Sequence, residues 1–485
     1  MLILTVILMP IIFGLVLPFI KLKKVPRNIY VVTAALLTSI VALYLVFGNI
    51  DINYTLINIT DKFSIGFSND GLSKIFTIIV AFLWPLATLY ATEYMEHEKN
   101  RDSFFRYYLI AYGITLGVAF SNNLISMYFF YEALTFLTLP LIMHKADDKK
   151  SLYAGKVYLI LSLLGASTAL TGIIILSTLS QNINFIYGGV LQNTSNNVLI
   201  NIAYILCFLG FGVKTAIIPF TFWLPLCGVA PTPVSALLHA VAVVKAGVFA
   251  IMRVTFFSFG AETLNGSAAQ KIAFIFVSVT IVYSSVMALR DRHIKRRLAY
   301  STASNLSYIL FAVVLMTAEG FVAGMQHMMF HAIAKINLFF VAGAIMIYAN
   351  REYVQDMKGI AKKMPISMFA FLLASLSMIG IPLTCGFISK YSLITSAINA
   401  GGNYAYIGIA SIVISTMLTL VYLFTIVLNA YVPGENFDGK RLDKISESGI
   451  AMKITFIIIS IMIIYFGVNS TSLIEFIENV AKGVI

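Results

Sequence analysis

The sequence predicts an all-α polytopic membrane protein with about 14 transmembrane helices. Of its 485 residues, 59% are hydrophobic and only 11% are charged, whereas soluble domains carry about 25% charged residues. The apolar residues also fall into segments of about 20, the length at which a helix spans the hydrocarbon core. These two observations exclude a soluble enzyme and indicate a single membrane domain over residues 1–485.

The apolar segments follow one another with short polar connections. The first, MLILTVILMPIIFGLVLPFI, lacks the basic n-region and small-residue cleavage site of a signal peptide, so we expect a retained helix. The predicted spans cover residues 2–20, 29–48, 71–92, 106–121, 124–143, 153–180, 201–225, 232–255, 269–289, 296–317, 321–349, 365–398, 404–431 and 450–469.

Basic residues alternate between the two sides of these segments. Most of the 33 Lys and Arg follow odd-numbered segments, including the run RDRHIKRR at 290–297, while Lys74, Arg253 and Lys271 fall on the opposite side. The positive-inside rule then predicts that both termini lie outside. The net charge of +12 is thus a topology signal, and we expect no nucleic-acid partner.

Two of the predicted spans contain an internal proline, at Pro219 and at Pro382. Proline removes a backbone donor and breaks the helix, which a membrane tolerates only beside protein or a wet cavity. Each proline lies five to eight residues from a lysine in the same span, Lys214 or Lys390. Paired broken helices beside charges are typical of transporters built from inverted repeats.

Ionisable residues inside the apolar segments are the strongest functional signal. A charged side chain near the middle of a membrane costs roughly 3 kcal/mol. One glutamate and four lysines lie well inside these segments, and together they cost on the order of 15 kcal/mol unless they pair, contact water or have a function. We therefore select eight candidate site residues: Glu132, Lys214, His239, Lys245, His327, His331, Lys335 and Lys390.

His327, His331 and Lys335 recur every four residues and therefore line one helical face, about 6 Å apart. Because histidine titrates near neutral pH, this row predicts a proton relay in which water bridges the gaps. A metal site is the alternative for the two histidines, but no carboxylate or cysteine joins them. The remaining alternative is an ordinary buried histidine on an apolar face.

Glu132 is the acidic residue within these apolar cores, and it needs a positive partner. Lys214 is the natural choice, and the pair would act as an electrostatic switch that holds or releases a proton. A static structural ion pair is the alternative. The three cysteines match no iron–sulfur, haem or zinc spacing, so we expect no cofactor and no metal in this chain.

The residues around these sites resemble the antiporter-like proton-translocating membrane subunits shared by respiratory complex I, Mrp sodium/proton antiporters and membrane-bound energy-converting hydrogenases. The similar stretches are YEALTFLTLPL around Glu132, GVKTAIIPFTFWLP around Lys214, APTPVSALLHAVAVVKAGVFAIMR with His239 and Lys245, DRHIKRRLAYSTASNLSYI at 291–309, FHAIAKINLFFVAG around Lys335 and PLTCGFISKY around Lys390.

The resemblance implies two inverted five-helix repeats, helices 4–8 and 9–13, with helices 7 and 12 broken. It divides the chain into helices 1–3 (1–105), a first repeat (106–255), a second repeat (269–431) and a C-terminal helix with its tail (450–485). It also implies that Glu132 and Lys214 form the first pair of a proton path and that Lys390 is its last member.

The resemblance further implies a subunit of a redox-driven ion pump in a prokaryotic inner membrane. Its partners would be homologous membrane subunits, peripheral redox subunits, lipid, protons and possibly sodium, because this chain carries no phosphate-binding loop or cluster motif. The alternative is a subunit of an Mrp-type sodium/proton antiporter without redox chemistry. The length of this chain leaves no room for the long lateral helix or the extra domain of the largest relatives, so we expect a shorter version of the subunit.

Overall fold

The structure is a computed structural model that describes residues 2–48, 50, 52–60, 63–180, 182–191, 197–434 and 439–482. The last three residues of the predicted C-terminal tail lie outside this set. The helices, in chain order, are α1 (Leu2–Ile20), α2 (Lys24–Phe47), α3 (Gly71–Tyr94), α4 (Arg101–Phe120), α5 (Leu124–Ile142), α6 (Lys149–Leu179), α7 (Asn197–Gly212), α8 (Trp223–Leu226), α9 (Thr232–Ala240), α10 (Val243–Met252), α11 (Ala261–Leu264), α12 (Ala268–Arg290), α13 (Ile294–Val314), α14 (Ala318–Tyr348), α15 (Pro365–Ile379), α16 (Cys385–Ala400), α17 (Gly402–Tyr431), α18 (Ile450–Val468) and α19 (Thr471–Ala481).

The predicted polytopic helical architecture is confirmed. Among the described residues, 11 helical stretches are long and apolar enough to cross a membrane. The predicted spans at 201–225 and 365–398 are each divided into shorter helices, and α13 is a long helix with a polar sequence. The count of 14 spans and the inverted repeats therefore remain predictions.

Three local features were not predicted. A short antiparallel hairpin, β1 (Asn53–Asn58) paired with β2 (Ser64–Ser68), connects α2 to α3. The predicted span 232–255 is interrupted between α9 and α10, where Val241 and Ala242 leave helical geometry. The chain after the last span continues as the short amphipathic helix α19.

The broken helix near Pro219 is confirmed, and its freed backbone groups find partners. α7 ends at Gly212, and the chain turns before a short helical segment begins near Phe220. The Trp223 indole donates to the Val213 carbonyl at 2.7 Å, and the Ile218 amide donates to the Thr280 hydroxyl at 3.0 Å. The polar turn is thus satisfied by protein, as the apolar surroundings require.

The second broken helix is also confirmed. α15 ends at Ile379, and the next residue, Gly380, has a φ of 90°, a left-handed conformation that glycine adopts at low cost. The Lys390 ammonium donates to the Ile379 carbonyl at 3.1 Å. One of the predicted site residues therefore uses a carbonyl that the helix break leaves free.

α14 is the central helix of the described chain, since it packs against α3, α9, α13, α15, α16 and α18. Its side chains are buried from Gly320 to Ile345, with few exceptions. Tyr90 of α3 stacks on Phe340 at 4.0 Å, and its hydroxyl donates to the Phe340 carbonyl. The row of His327, His331 and Lys335 thus lies at the centre of the helical assembly.

A buried ion pair fixes the far end of α10. Arg253, placed among the loop charges by the sequence, is instead fully buried. Its guanidinium binds both carboxylate oxygens of Asp70, the residue that caps α3. Burial alone would raise the pKa of the Asp70 carboxyl, but Arg253 and Ser73 together hold it below its usual value.

Candidate functional site

Glu132 and Lys214 lie side by side, as the sequence predicts. The Lys214 Nζ is 3.8 Å from Glu132 Oε1, too far for a hydrogen bond, and the lysine is almost fully buried while the carboxylate is partly exposed. Lys214 donates to the Tyr131 carbonyl and lies 3.3 Å from the centre of the Tyr131 ring. The Tyr131 carbonyl and ring thus contact the Lys214 ammonium in the same position as the carboxylate does.

The break after α7 brings Lys214 against α10, the helix of Lys245. The contact depends on Gly247, because a Cβ atom there would lie 2.9 Å from the Thr215 side chain and 3.1 Å from Lys214 Cβ. Lys245 is fully buried and lies two residues before this contact. The first pair and the next candidate lysine are therefore held on directly packed elements.

Lys245 makes a side-chain contact with His331. Its Nζ is 2.7 Å from His331 Nδ1, and both groups are buried. Because either nitrogen can carry the shared proton, one proton can pass between α10 and α14 without movement of the backbone. The His331 Nε2 has no hydrogen-bond partner among the described residues.

Lys335 is fully buried on the same face of α14, but it contacts α13 rather than His331. Its Nζ donates to the Ser301 hydroxyl at 2.8 Å and to the Leu298 carbonyl at 3.3 Å. No hydrogen bond between Lys335 and His331 is found among the described residues, and the relay along the row stays a prediction. Water is needed to connect Lys335 with His331.

The far end of the row approaches Lys390. The rings of His327 and His331 are stacked with centroids 6.0 Å apart, and His327 Nδ1 is 3.0 Å from the Ser389 hydroxyl. Lys390 itself donates to the Thr416 hydroxyl at 3.1 Å and lies 5.5 Å from the centre of the Tyr308 ring. The structure thus brings His327 next to the residue that precedes Lys390.

His239 is the candidate that the structure leaves unconnected. It lies in α9, just before the interruption that separates it from Lys245, and its ring stacks on Phe339 at 4.5 Å. Neither ring nitrogen has a hydrogen-bond partner among the described residues. A buried histidine without partners needs water or a transient proton to satisfy it.

Sequence reasoning missed two buried cations near this row. Lys295 and Arg297 belong to the run RDRHIKRR, which the sequence analysis counts among the loop charges although the predicted span 296–317 includes Arg297; both are buried in α13. Lys295 donates to the Ala230 carbonyl at 2.7 Å, and Arg297 donates to the carbonyls of residues 289, 291 and 422. Because residues two apart lie on nearly opposite faces of a helix, helical spacing alone does not place both of them toward the interior.

Two cavities lie near opposite ends of α14, and the eight candidate residues are not among the residues that line them. One of about 590 Å³ lies beside the basic loops, and its wall includes Lys295, Lys145 and Glu352. The other, of about 620 Å³, lies at the opposite end of α14 and α16, and its wall includes Gln326, whose buried Oε1 has no hydrogen-bond partner in the described structure. Cavities of this size hold several water molecules.

The fold and the site define a class of protein: a polytopic membrane protein with a central row of buried lysines and histidines. A family described as "NADH:quinone oxidoreductase/Mrp antiporter, TM" matches residues 121–419. A second, described as "NADH-Ubiquinone oxidoreductase (complex I), chain 5 N-terminus", matches residues 57–105. The chain belongs to the NADH:quinone oxidoreductase/Mrp antiporter family.

Characterised relatives include subunits of two kinds of complex. NADH-quinone oxidoreductase subunit N of Desulforudis audaxviator is 31% identical over 379 residues, which cover 77% of this chain and 74% of the relative. Na(+)/H(+) antiporter subunit A1 of Staphylococcus aureus is 28% identical over 495 residues, which cover 95% of this chain. This chain spans only 60% of that antiporter subunit.

Two solved structures share the fold. One belongs to the membrane-bound sulfane sulfur reductase, an archaeal respiratory membrane complex, with a TM-score of 0.87, 21% identity and coverage of 99% of this chain and 97% of that one. The other belongs to the Mrp complex from Dietzia sp., with a TM-score of 0.88, 21% identity and coverage of 100% and 52%.

Proposed function

We propose that this chain moves protons across the membrane as an antiporter-like subunit of a larger, redox-driven ion pump. The observation that carries the proposal is the buried row itself: Lys214 beside Glu132, Lys245 bonded to His331, and Lys335, His327 and Lys390 beyond. Such a set of ionisable groups is expensive in a membrane and is maintained where ions or protons pass.

The first step takes place at Glu132 and Lys214. While the carboxylate is ionised, it favours the ammonium form of Lys214 at 3.8 Å. When Glu132 is neutralised or moves away, burial favours the neutral amine, and the proton leaves Lys214. The pair therefore acts as a switch, in which the charge of one group decides whether the other holds its proton.

The proton then passes through the centre of the molecule. Lys245 and His331 exchange it across their 2.7 Å contact, and water carries it to Lys335 and His327. Lys390, at the second helix break, is the last site before the cavity lined by Gln326. His239 takes part only when water connects its free nitrogens to this row.

Redox coupling is proposed because the relative at 31% identity is an NADH-quinone oxidoreductase subunit. Electron transfer would then occur in partner chains, and conformational or electrostatic change would reach this subunit through its neighbours. Sodium/proton antiport without redox chemistry is the second candidate, favoured by the alignment of antiporter subunit A1 over 95% of this chain. Mass spectrometry of the purified assembly separates the two candidates. Redox-centre subunits among the partners would support the redox-driven pump, and small membrane subunits would support the antiporter.

Substitution of Lys335 tests the transport role. Lys335→Met keeps the length of the side chain but removes the titratable group and its bond to Ser301. We expect the intact complex to assemble, as seen on a native gel, and to lose proton transport in inverted membrane vesicles. Lys271→Met, at an exposed lysine, is the matched control. Normal transport by the Lys335→Met complex would refute the proposal.

A further inference from the structure

Two rows of hydroxyl side chains face each other on α13 and α17, beside the histidine row of α14. Within each helix the members are three, four or seven residues apart, the spacing of one helical face. All of them are buried. The rows consist of Ser301, Ser304 and Tyr308 on α13 and of Ser415, Thr419 and Tyr422 on α17.

The first half of these rows begins at Lys335. The Ser301 hydroxyl accepts hydrogen bonds from Lys335 Nζ at 2.8 Å and from the Tyr422 hydroxyl at 2.7 Å. The Tyr422 hydroxyl in turn lies 3.1 Å from the Thr419 hydroxyl. Three hydroxyl groups thus continue directly from the central lysine.

The second half ends beside Lys390. The Ser415 hydroxyl accepts from the Tyr308 hydroxyl at 2.6 Å and lies 2.9 Å from the Ser304 hydroxyl. The next residue of α17, Thr416, accepts a hydrogen bond from Lys390 at 3.1 Å. Tyr308 also places its ring 5.5 Å from the Lys390 ammonium. Within the second half, the Thr416 hydroxyl and the Tyr308 ring are therefore the groups that lie beside the last lysine.

The two halves are separated by one turn of α17. The Thr419 hydroxyl donates to the backbone carbonyl of Ser415 at 2.7 Å, and the side chains start about 6 Å apart, one turn along the helix. A carbonyl does not relay a proton, so a water molecule is required between the two hydroxyls.

We propose that these rows form a second proton branch between Lys335 and Lys390, parallel to the branch through His331 and His327. The inference rests on the proposed transport function. In the transfer, the Tyr422 hydroxyl first rotates so that it accepts a hydrogen bond from Ser301. An N–H bond of Lys335 then breaks, each hydroxyl and the bridging water accept one proton and release another, and an N–H bond forms at Lys390. No electrons are transferred and no other reactant is consumed.

A hydroxyl bonded only within its own helix cannot pass a proton to another helix. Ser307, for comparison, donates to the Ala303 carbonyl one turn back, the usual arrangement for a helical serine. The bonds of Ser301, Tyr422 and Tyr308 instead run between helices and reach the two lysines or their neighbours. The rows therefore have the connectivity that transfer requires.

The test measures proton transport by the intact complex in inverted membrane vesicles, normalised to assembled subunit. Tyr422→Phe removes one hydroxyl and retains the ring, and His327→Phe interrupts the histidine branch. With two parallel branches, each single variant should keep a substantial part of the wild-type rate. The transport rate of the double variant should be about tenfold lower than the rate expected from multiplying the two single effects. A coupling of this size is within the range found for residues in one network.

Tyr112→Phe is the matched control, since Tyr112 is also buried and has one hydroxyl partner, Ser39, far from the rows. Ser415→Ala repeats the test in the half of the rows near Lys390, and it replaces Tyr422→Phe if that variant does not assemble. A double variant that equals the product of its singles overturns the second branch. If Lys335→Met also transports normally, the transport function itself has failed; if Lys335→Met is inactive, only the branch has failed.

Discussion

Removal of the Glu132 charge is the perturbation whose size the structure best defines. With 3.8 Å between Glu132 Oε1 and Lys214 Nζ, an effective dielectric constant of about 20 gives an attraction of about 4 kcal/mol. If the full attraction were lost from the rate-limiting transfer, the rate would fall about a thousandfold. Because the carboxylate is partly exposed, we expect Glu132→Gln to lower the rate between about tenfold and this limit.

The assay is dye-monitored acidification of inverted membrane vesicles that contain the intact complex, energised by whichever substrate or ion gradient drives the wild type. Glu132→Asp, which keeps the charge on a shorter chain, should recover part of the rate. Glu262→Gln removes an exposed carboxylate and should transport normally. A Glu132→Gln rate within about twofold of wild type would refute the electrostatic switch.

Two further predictions concern stability. Asp70→Asn leaves the buried Arg253 charge unpaired and should lower the unfolding free energy by about 3–5 kcal/mol. Because the pKa of Asp70 is held below its unfolded value, the wild type should lose this stability as the pH falls through the folded-state pKa. The variant should show no such loss. An unchanged melting temperature in detergent would contradict this. Gly247→Ala pushes a methyl group against Lys214, which should cost about 1–3 kcal/mol of stability and reduce transport. Gly439→Ala, whose methyl group would meet no atom within 4 Å in the described part of the chain, should do neither. An unperturbed Gly247→Ala complex would show that this packing is not required.

The spans and the candidate charges could be predicted from the sequence because both are properties of single segments. A helix of about 20 apolar residues is recognisable wherever it packs, and Lys335 is conspicuous because its neighbours are apolar. The prolines likewise predicted both broken helices, since a missing backbone donor breaks a helix in any surroundings.

The remaining features depend on contacts between segments. No proline or glycine marks the interruption at Val241 and Ala242, where only a run of β-branched residues weakens the helix. Lys295 was assigned to a loop because the charges around it are dense, and burial against Ala230 decides its place. The hydrogen bond of Lys335 to Ser301 joins two helices, and sequence spacing within one helix cannot determine such a partner.

The most direct test of the central claim is a cryo-electron microscopy map of the intact complex at a resolution that shows ordered water. The account predicts water molecules that connect the Glu132–Lys214 pair, the Lys245–His331 contact, Lys335 and Lys390 into one hydrogen-bonded path through the middle of the membrane. A map in which tightly packed apolar side chains separate these groups, with no water between them, would contradict it.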